Sequence, residues 1–272
     1  MPDPLPVGLS AQLACVLEAT ARKPGNVHRT ADFADCTFLD FLLSAAAIGP
    51  AMNQAVGRPV GETVLDAIRA TRRVTTVNTN LGIVLLLAPL AAVPDGGSVR
   101  DVLRATTVAD ARAVYDAIRL ATPGGLGRAG EQDVADEPTV TLLDAMRLAA
   151  DRDGVARQYA TDFADVVAAT LATDRPLEDA IVRLHLELLA ARPDTLIARK
   201  CGREVAAEAS ARAAGVLSGK PLAEFDDWLR ADGHRRNPGT TADLVTAALF
   251  VALRRGIIQL PLPAPFSTAM FR

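Results

Sequence analysis

The sequence predicts an all-α fold: one domain spanning residues 1–272, built as a multi-helix bundle with a polar cleft formed by helix ends and Pro-Gly turns. Ala, Leu, Arg and Glu, which are good helix formers, dominate the long segments. Apolar positions in these segments recur at spacings of three and four residues rather than two, which is typical of helices. No connection rich in Pro and Gly coincides with a change of composition that would mark a linker between domains.

The first predicted helix covers residues 10–20, with Ser10 as its N-cap and with Val16 and Leu17 on its apolar face. The segment Lys23-Pro24-Gly25 follows it and stops the helical pattern. The remaining predicted helices cover residues 37–48, 61–73, 78–92, 98–106, 107–120, 139–152, 155–173, 177–191, 195–217, 222–231 and 240–255. The helix at 98–106 is predicted to begin at Ser98, which forms an approximate capping box with Asp101 three residues later.

Composition excludes several classes of protein. The chain has 29 Lys and Arg against 32 Asp and Glu, a formal charge of -3, which gives no general attraction to nucleic acid or to an anionic membrane. The cysteines, Cys15, Cys36 and Cys201, lack the spacing of a disulfide framework or a structural zinc site. The most apolar run is interrupted by Pro89 and is too short for a membrane span, and the N-terminus has no secretory pattern. We therefore expect a cytoplasmic protein whose partners are small-molecule substrates, with no nucleic acid and no membrane, and a homodimer is left open.

Three turns in which Gly follows Pro interrupt the helices, at residues 23–26, 122–125 and 237–240. Pro-Gly suits the central positions of a type II turn, which directs backbone N–H groups outward beside a helix end, where they can hold an anion. Because Pro-Gly is also a common connector between helices, one such turn alone is weak evidence of a site.

The first of these turns is surrounded by polar side chains. Glu18 lies on the preceding helix, and Lys23, Asn26, His28 and Arg29 crowd the turn. A carboxylate close to cationic and amide donors suits a magnesium-phosphate unit or a general base, while Lys23 supplies a positive charge for phosphate. The alternative is a solvated helix end whose cations interact favourably with the helix dipole.

Two further polar segments stand at predicted helix starts. In Asn78-Thr79-Asn80, an N-cap uses one side chain, and the other two either bind a base or ribose or are satisfied polar groups of the core. Asp194 is placed to cap the helix that begins after it. Arg199 and Lys200 on that helix point about 100° apart, so at most one of them needs to face a site.

The third Pro-Gly turn begins at Asn237 and leads into the last helix, where Thr240 and Asp243 have the spacing of a capping pair. A carboxylate in the first turn of a helix disfavours bare phosphate but suits magnesium that carries phosphate. This segment is therefore a candidate part of the same site.

Five polar segments follow one another along the chain: Glu18 with Lys23-Pro24-Gly25-Asn26, Asp40 with Ser44, Asn78 to Gly82, Asp194 to Gly202, and Asn237 to Asp243. In this order they resemble the triphosphoribosyl-dephospho-CoA synthase family. The resemblance covers most of the chain and is to a divergent branch, with members in archaea and in bacteria that use tetrahydromethanopterin.

The resemblance implies an all-α enzyme that moves the triphosphoribosyl group of ATP onto the ribose of 3'-dephospho-CoA and releases adenine. The product of such enzymes is a precursor of the prosthetic group of citrate lyase or malonate decarboxylase. The family members that serve those enzymes have an Asn-Thr-His-Lys-Gly segment, whereas this chain has Asn80-Leu81 in place of the His-Lys pair. The acceptor is therefore open, and another ribosyl or phosphoryl transfer in tetrahydromethanopterin-type cofactor biosynthesis is the alternative.

The implied reaction assigns roles to the polar residues, because positive charge develops on the ribose while the triphosphate is retained. ATP is the expected substrate and Mg²⁺ the expected cofactor. The catalytic candidates are Glu18, Asp40 and Asp243, of which Glu18 and Asp243 are also the candidate metal ligands. The candidates for binding substrate and phosphate are Lys23, Asn26, Ser44, Asn78, Asn80, Asp194, Arg199, Lys200, Asn237 and Thr240.

Two other classes of function use the same polar residues. An ATP-dependent phosphotransferase or ligase would release ADP or AMP rather than adenine. A non-catalytic helical nucleotide-binding protein would bind ATP without turnover. The released product therefore separates the three hypotheses.

Overall fold

The computed structural model describes residues 5–123, 131–169, 171, 174–262 and 266. Within these ranges the chain forms fourteen α-helices and no strand, apart from isolated bridges between His28 and Ala31 and between Phe33 and Cys36. The prediction of an all-α fold is confirmed. The helices are α1 (Val7–Thr20), α2 (Phe38–Asn53), α3 (Val60–Arg72), α4 (Leu81–Ala91), α5 (Val99–Arg104), α6 (Val108–Ala121), α7 (Leu142–Ala149), α8 (Gly154–Ala160), α9 (Ala164–Ala168), α10 (Leu177–Ala191), α11 (Thr195–Cys201), α12 (Arg203–Leu217), α13 (Leu222–Arg230) and α14 (Gly239–Arg254).

Two of the predicted helices are each divided into two. The segment predicted as 155–173 contains Asp162 and Phe163 with φ angles of 53° and 62°, and it forms α8 and α9. The segment predicted as 195–217 breaks at Gly202, where φ is 95°, and forms α11 and α12. Residues with positive φ do not continue a right-handed helix. The apolar periodicity runs through both breaks and therefore does not reveal them.

The starts of two helices test the predicted caps. Ser98 accepts a hydrogen bond from the backbone N–H of Asp101 at 3.2 Å, so its predicted role as the cap of α5 is confirmed. The prediction that Ser10 caps the first helix is wrong. That helix begins at Val7, and the Ser10 hydroxyl donates to the Pro6 carbonyl at 3.2 Å. Proline is tolerated at a helix start because the N–H that it lacks has no partner there.

α4 lies within the main hydrophobic core. Its residues are apolar all round, and most of them, from Leu81 to Ala91, are buried. The helices that pack on it include α1, α2, α3, α8 and α14. No helix in the described parts of the chain is long and apolar enough to cross a membrane.

A second, smaller cluster of buried apolar side chains is formed by α10 to α13. One face of α10 packs in the main core through Ile181 and Leu184, and another packs in the second cluster through Val182 and Leu186. α11 belongs to the second cluster, α14 belongs to the main core, and the two helices contact each other. The polar starts of α11 and α14, which the sequence singles out, therefore lie where the two clusters meet.

Candidate active site

Glu18 and Lys23 form a buried ion pair at the end of α1. Lys23 Nζ lies 2.9 Å from Glu18 Oε1, and the exposed fractions are 0% for Lys23 and 3% for Glu18. The ammonium group also donates to the carbonyl oxygens of Glu18, at 2.5 Å, and of Ala21, at 3.3 Å. These acceptors match the three donors of an ammonium group. Lys23 thus closes the end of the helix, and its charge acts from inside the protein.

The turn at residues 23–26 has the predicted type II geometry. Asn26 N–H donates to the Lys23 carbonyl at 3.4 Å, and Gly25 has a φ of 73°. The outward N–H of Gly25 donates to Asp226 Oδ1 at 2.6 Å, so the anion that this turn holds is a carboxylate of the protein itself. Arg230 pairs with Asp226 at 2.9 Å and fixes this contact.

The other two Pro-Gly turns differ from the first. At the third turn, Gly239 N–H donates to the Asn237 carbonyl at 2.9 Å and α14 begins at Gly239, so the turn is tighter than the predicted type II turn. In the turn at 122–125, Thr122 is left-handed with a φ of 46°, while Gly124 and Gly125 lie outside the described residues.

The first and third Pro-Gly turns pack against each other. Asn26 Nδ2 donates to Asn237 Oδ1 at 2.6 Å across 211 positions of sequence. A Cβ added to Gly25 would overlap side-chain atoms of Leu229 and approach Pro238, so only glycine permits this contact. The segments that carry Lys23 and Asp243 are therefore neighbours, as a single site requires.

Asp243 lies on the next turn of α14, with its carboxylate against the backbone of Gly82. No side chain or backbone N–H in the described part of the chain bonds to or pairs with this carboxylate. Burial raises its pKa well above the ordinary value, and the negative charges of Glu18, Asp194 and Asp153 raise it further. Asp243 is thus a half-buried carboxyl group with a raised proton affinity in a cluster of negative charge.

Asp194 joins the starts of two helices. Its Oδ1 accepts from the backbone N–H groups of Leu196 and Ile197 and caps α11, as predicted. Its Oδ2 accepts from the N–H and the hydroxyl of Thr241 at 2.7 and 2.8 Å. The predicted capping pair of Thr240 and Asp243 is therefore wrong, because Asp194 supplies the cap from another helix.

The starts of α8, α11 and α14 meet beside Asp194. Thr195 Oγ1 accepts from Gly154 N–H at 3.0 Å and lies 3.1 Å from Thr240 Oγ1. Arg199, one turn further along α11, lies 3.4 Å from Asp153 Oδ2. Thr240 and Arg199 are thus brought together with Asp194.

Lys200 points away from Arg199 and makes no ion pair or side-chain hydrogen bond with the described residues. It is half-buried, and burial, together with the neighbouring positive charge of Arg199, lowers its pKa. Of the two adjacent cations, Arg199 is the one that lines the cavity described below.

A hydroxyl network connects Asp40 and Ser44 with the segment before α4. Asp40 caps α2 in a capping box with Thr37 and accepts from Thr75 Oγ1 at 2.8 Å. These hydrogen bonds, above all that of the Thr37 hydroxyl, lower the pKa of Asp40. Ser44 Oγ lies 2.5 Å from Thr79 Oγ1. Asp40 is therefore satisfied by its neighbours, in contrast to Asp243.

The two asparagines before α4 make local contacts. Asn78 Oδ1 accepts from Leu81 N–H at 3.2 Å, so Asn78 supplies the side-chain cap. Asn80 is buried and its Nδ2 donates to Thr71 Oγ1 at 2.9 Å. Asn80 Oδ1 is buried and has no partner among the described residues.

Two carboxylates near the site, Glu178 and Asp153, were not anticipated from the sequence. Glu178 is fully buried and pairs with Arg22 at 3.1 Å and with Arg29 at 2.6 Å. Asp153 pairs with Arg199, and its position directly before Gly154 was a readable N-cap signal. Glu178 gave no such signal, because its partners lie about 150 residues earlier in the chain.

A cavity of about 1300 Å³ opens beside the start of α14. Asp194, Arg199 and Thr240 are among the residues that line it, together with apolar side chains of α4, α6, α7, α10 and α14. The Glu18–Lys23 pair and Asp243 lie outside this lining. The site thus has two adjacent parts, a charged cluster and a large cavity.

A metal ion has few protein ligands available here. No group of three or more His, Cys, Asp or Glu side chains that could hold a metal occurs among the residues that the structure describes. Glu18 and Asp243 are two carboxylates that influence each other. Mg²⁺ is commonly held by one or two carboxylates with water and substrate phosphates, so these residues fit such a metal but not a site built from protein ligands alone.

Comparison with known proteins places this chain in a class of transferases. The chain matches the model of the CitG family, ATP:dephospho-CoA triphosphoribosyl transferase, over residues 6–260. It belongs to that family. It is also similar to the crystal structure of a provisionally assigned triphosphoribosyl-dephospho-CoA synthase from Archaeoglobus fulgidus, with 32% identity and a TM-score of 0.66 over 79% of this chain and 99% of that one. No curated protein sequence matches the chain significantly.

Proposed function

We propose that the protein transfers the triphosphoribosyl group of ATP to a ribose hydroxyl of 3'-dephospho-CoA and releases adenine, as a step of cofactor biosynthesis in the cytoplasm. Membership of the transferase family supports the reaction class. The observation that carries the proposal is the position of Asp243, an unpaired carboxylate beside Gly82 and within the field of Glu18. This arrangement combines segments that are far apart in sequence.

Asp243 is the carboxylate best suited to act as general base. In the reaction, the bond between C1' of the ATP ribose and adenine breaks, and adenine leaves with the electron pair and takes up a proton. The acceptor hydroxyl oxygen bonds to C1' and loses its proton to the carboxylate. A raised pKa brings a carboxylate closer to the operating pH, which improves it as a base. Asp40 has a lowered pKa and full hydrogen bonding, so it is the weaker candidate.

Magnesium is proposed to bind with the triphosphate at the same cluster. Glu18 Oε1 is paired with Lys23, whereas no described residue donates a hydrogen bond to Glu18 Oε2. A divalent cation would offset the triphosphate charge beside the negative charges of Glu18 and Asp243. Arg199 and Lys200 are the proposed phosphate-binding cations, since Lys23 is held inside the protein.

The test of the reaction is chromatography of ATP incubated with 3'-dephospho-CoA, Mg²⁺ and the protein. We expect the amount of adenine released to equal the amount of ATP consumed. Release of ADP or AMP would indicate a phosphotransferase or ligase, and binding of ATP without any product would indicate a non-catalytic protein. Both outcomes contradict the proposal. Asn80-Leu81 in place of the His-Lys pair leaves open a different acceptor in tetrahydromethanopterin-type cofactor biosynthesis. Incubation with a pterin-type acceptor tests this alternative.

Asp243→Asn separates the roles of base and metal ligand. As a base, Asp243 is required for turnover but not for ATP binding, so adenine release should fall about 100-fold or more while calorimetry gives an unchanged affinity for ATP with Mg²⁺. Loss of the magnesium dependence of ATP binding in this variant would instead make Asp243 a metal ligand. Glu18→Gln should reduce the magnesium dependence. Equal ATP affinity of the parent protein with and without EDTA would contradict the proposed metal.

A further inference from the structure

The large cavity beside the start of α14 is the feature that the reaction centre does not use. It is lined by residues of α6, α7, α8, α10 and α11, and the start of α14 forms one of its walls. Thr240, Thr241 and Leu244 of α14 line the cavity, whereas Asp243 between them points to Gly82. Neighbouring residues of a helix point about 100° apart, so the first turns of α14 present Thr240 and Thr241 to the cavity and Asp243 to the charged cluster. A ligand in the cavity therefore lies next to the reacting groups.

Three arginines that line the cavity have no partner for their charge. Arg152, Arg192 and Arg203 are exposed and make no ion pair and no side-chain hydrogen bond with any described residue. Arg192 follows α10 and Arg203 begins α12, so both flank α11, which carries Arg199. A guanidinium group with its donors free is suited to bind phosphate oxygens in pairs.

The carboxylates on the lining are largely compensated. Asp153 pairs with Arg199, Asp165 with Arg157 at 2.9 Å, and Glu187 with Arg183 at 2.8 Å. Asp194 is used as a double cap. Asp151 and Glu131 have no ion-pair partner among the described residues and are exposed, as are the three arginines, but neither lies on α11 or beside it in the chain. The region around α11 thus retains positive charge that its own carboxylates do not neutralise.

Another part of the cavity lining, here called the apolar wall, consists of apolar side chains. It includes Val114, Ile118, Met146, Leu184 and Leu188. The adenine of ATP would also fit an apolar wall, but a cavity of about 1300 Å³ exceeds the roughly 300–1000 Å³ of a typical small-molecule site, so it has room for a longer ligand. A cavity with such a wall and with unpaired arginines fits an elongated ligand that has anionic and uncharged parts.

We propose that this cavity is the acceptor pocket, in which Arg192 and Arg203 bind the diphosphate of a nucleoside diphosphate that carries a long uncharged arm, and the apolar wall receives the arm. This inference rests on the proposed function, because it assigns a place to the second substrate. ATP occupies the adjoining charged cluster, and Arg199, which lines the cavity and whose charge also acts on Asp243, adjoins both sites.

The test is calorimetric titration of the parent protein and its variants with 3'-dephospho-CoA in the absence of ATP, so that no turnover occurs. Arg192→Met and Arg203→Met should each raise the Kd for 3'-dephospho-CoA by about tenfold, the scale of one charge-assisted contact. The Kd for ATP with Mg²⁺ should stay within about twofold. Arg104→Met is the matched control, since Arg104 is exposed, makes no ion pair with the described residues and does not line the cavity.

A second variant tests the apolar wall. Ala149→Leu adds bulk to the cavity lining. It should weaken the binding of 3'-dephospho-CoA more than the binding of ADP, because ADP has the diphosphate but lacks the arm. An equal loss of affinity for both ligands would overturn the inference that the apolar wall receives the arm.

The failure of this inference and that of the proposed function give different results. If the parent releases adenine but the Arg192 and Arg203 variants bind 3'-dephospho-CoA as tightly as it does, the pocket is overturned and the reaction stands. If both variants lose affinity for ATP instead, the cavity is the ATP site and the inference is wrong. If 3'-dephospho-CoA binds through these arginines without adenine release, the pocket stands and the proposed reaction fails. No binding of 3'-dephospho-CoA to the parent overturns the pocket.

Discussion

The carboxylate of Asp243 packs so closely against Gly82 that a Cβ at position 82 would overlap it. Gly82 lies at the start of α4 and Asp243 near the start of α14, 161 positions later in the chain. The glycine therefore leaves the space in which the unpaired carboxylate lies.

Gly82→Ala should displace the Asp243 side chain, because a carboxylate moves more easily than the helix backbone. We expect adenine release to fall at least about tenfold, the low end for losing a positioned acid or base, with a small change in Tm. Gly61→Ala is the control: its Cβ would overlap the backbone of Asp110, away from the site. That variant should lose stability but retain activity while folded. Full activity of Gly82→Ala would show that the position of Asp243 is not critical.

Lys23→Met should destabilise the protein, because it leaves the Glu18 carboxylate buried without its cation. Removing one partner of a buried pair costs about 3–5 kcal/mol, which urea unfolding measures. The double variant Glu18→Gln, Lys23→Met should recover much of this loss, since it leaves no unpaired charge. If Lys23→Met kept the stability of the parent and lost only ATP affinity, Lys23 would be a ligand of phosphate rather than a structural cation.

Glu178→Gln should also reduce stability, because Glu178 is fully buried and neutralises both Arg22 and Arg29. Because those arginines are partly exposed, we expect the free energy of unfolding, measured in urea, to fall by about 3 kcal/mol, the lower end for a broken buried pair. The control is Glu62→Gln, which removes an exposed partner of Arg58 and should cost less than about 1 kcal/mol. Equal effects of the two substitutions would contradict the importance of burial at Glu178.

Two buried histidines predict a loss of stability in acid. Burial and the charge of Arg230 lower the pKa of His28 to about 4, and burial also lowers the pKa of His185, with Lys23 contributing to both shifts. In the unfolded chain a histidine binds a proton near pH 6.5, so the unfolded state takes up more protons as the pH falls below that value. The free energy of unfolding is therefore highest above about pH 6.5, where the histidines are neutral in both states, and it declines as the pH falls toward 4.

His185→Leu removes the histidine whose ring nitrogens have no hydrogen-bond partner among the described residues. The difference in unfolding free energy between about pH 7 and about pH 5 should become smaller in this variant. Urea unfolding at the two pH values measures this difference. Adding His28→Gln to His185→Leu should make the difference smaller still. An unchanged difference would show that His185 does not limit stability in acid.

Features that depend on local sequence could be predicted, and those that depend on distant contacts could not. The helical spacing of apolar residues is local, and it gave the fold class. The caps at Ser98 and Asp194 were also readable, because a cap and its helix are adjacent. The break at Asp162 and Phe163 was not, since tertiary packing holds Phe163 fully buried there.

The candidate site shows the same division. The residue types near the three Pro-Gly turns pointed to chemistry, but their partners had to be seen. Lys23 reads as a surface cation after a helix, yet it is fully buried against Glu18. Thr240 and Asp243 have the spacing of a cap, yet Asp194 takes that place from 47 positions away. Arg192 and Arg203 carry no motif, and the cavity that they line exists only after folding.

Asp194 caps α11 and also binds Thr241 at the start of α14. The two ends of the segment from Thr195 to Thr240 are therefore held together at one point of the fold. One carboxylate fixes both ends, and α12 and α13 between them pack with α10 and α11 in their own apolar cluster. Such a segment is a natural unit for exchange: a relative's version could be grafted here if the seam at Asp194 and Thr241 and the contact face of α10 were matched. Chimeric proteins made at this seam would change Arg199, Lys200 and Arg203 together while leaving Glu18, Gly82 and Asp243 in place.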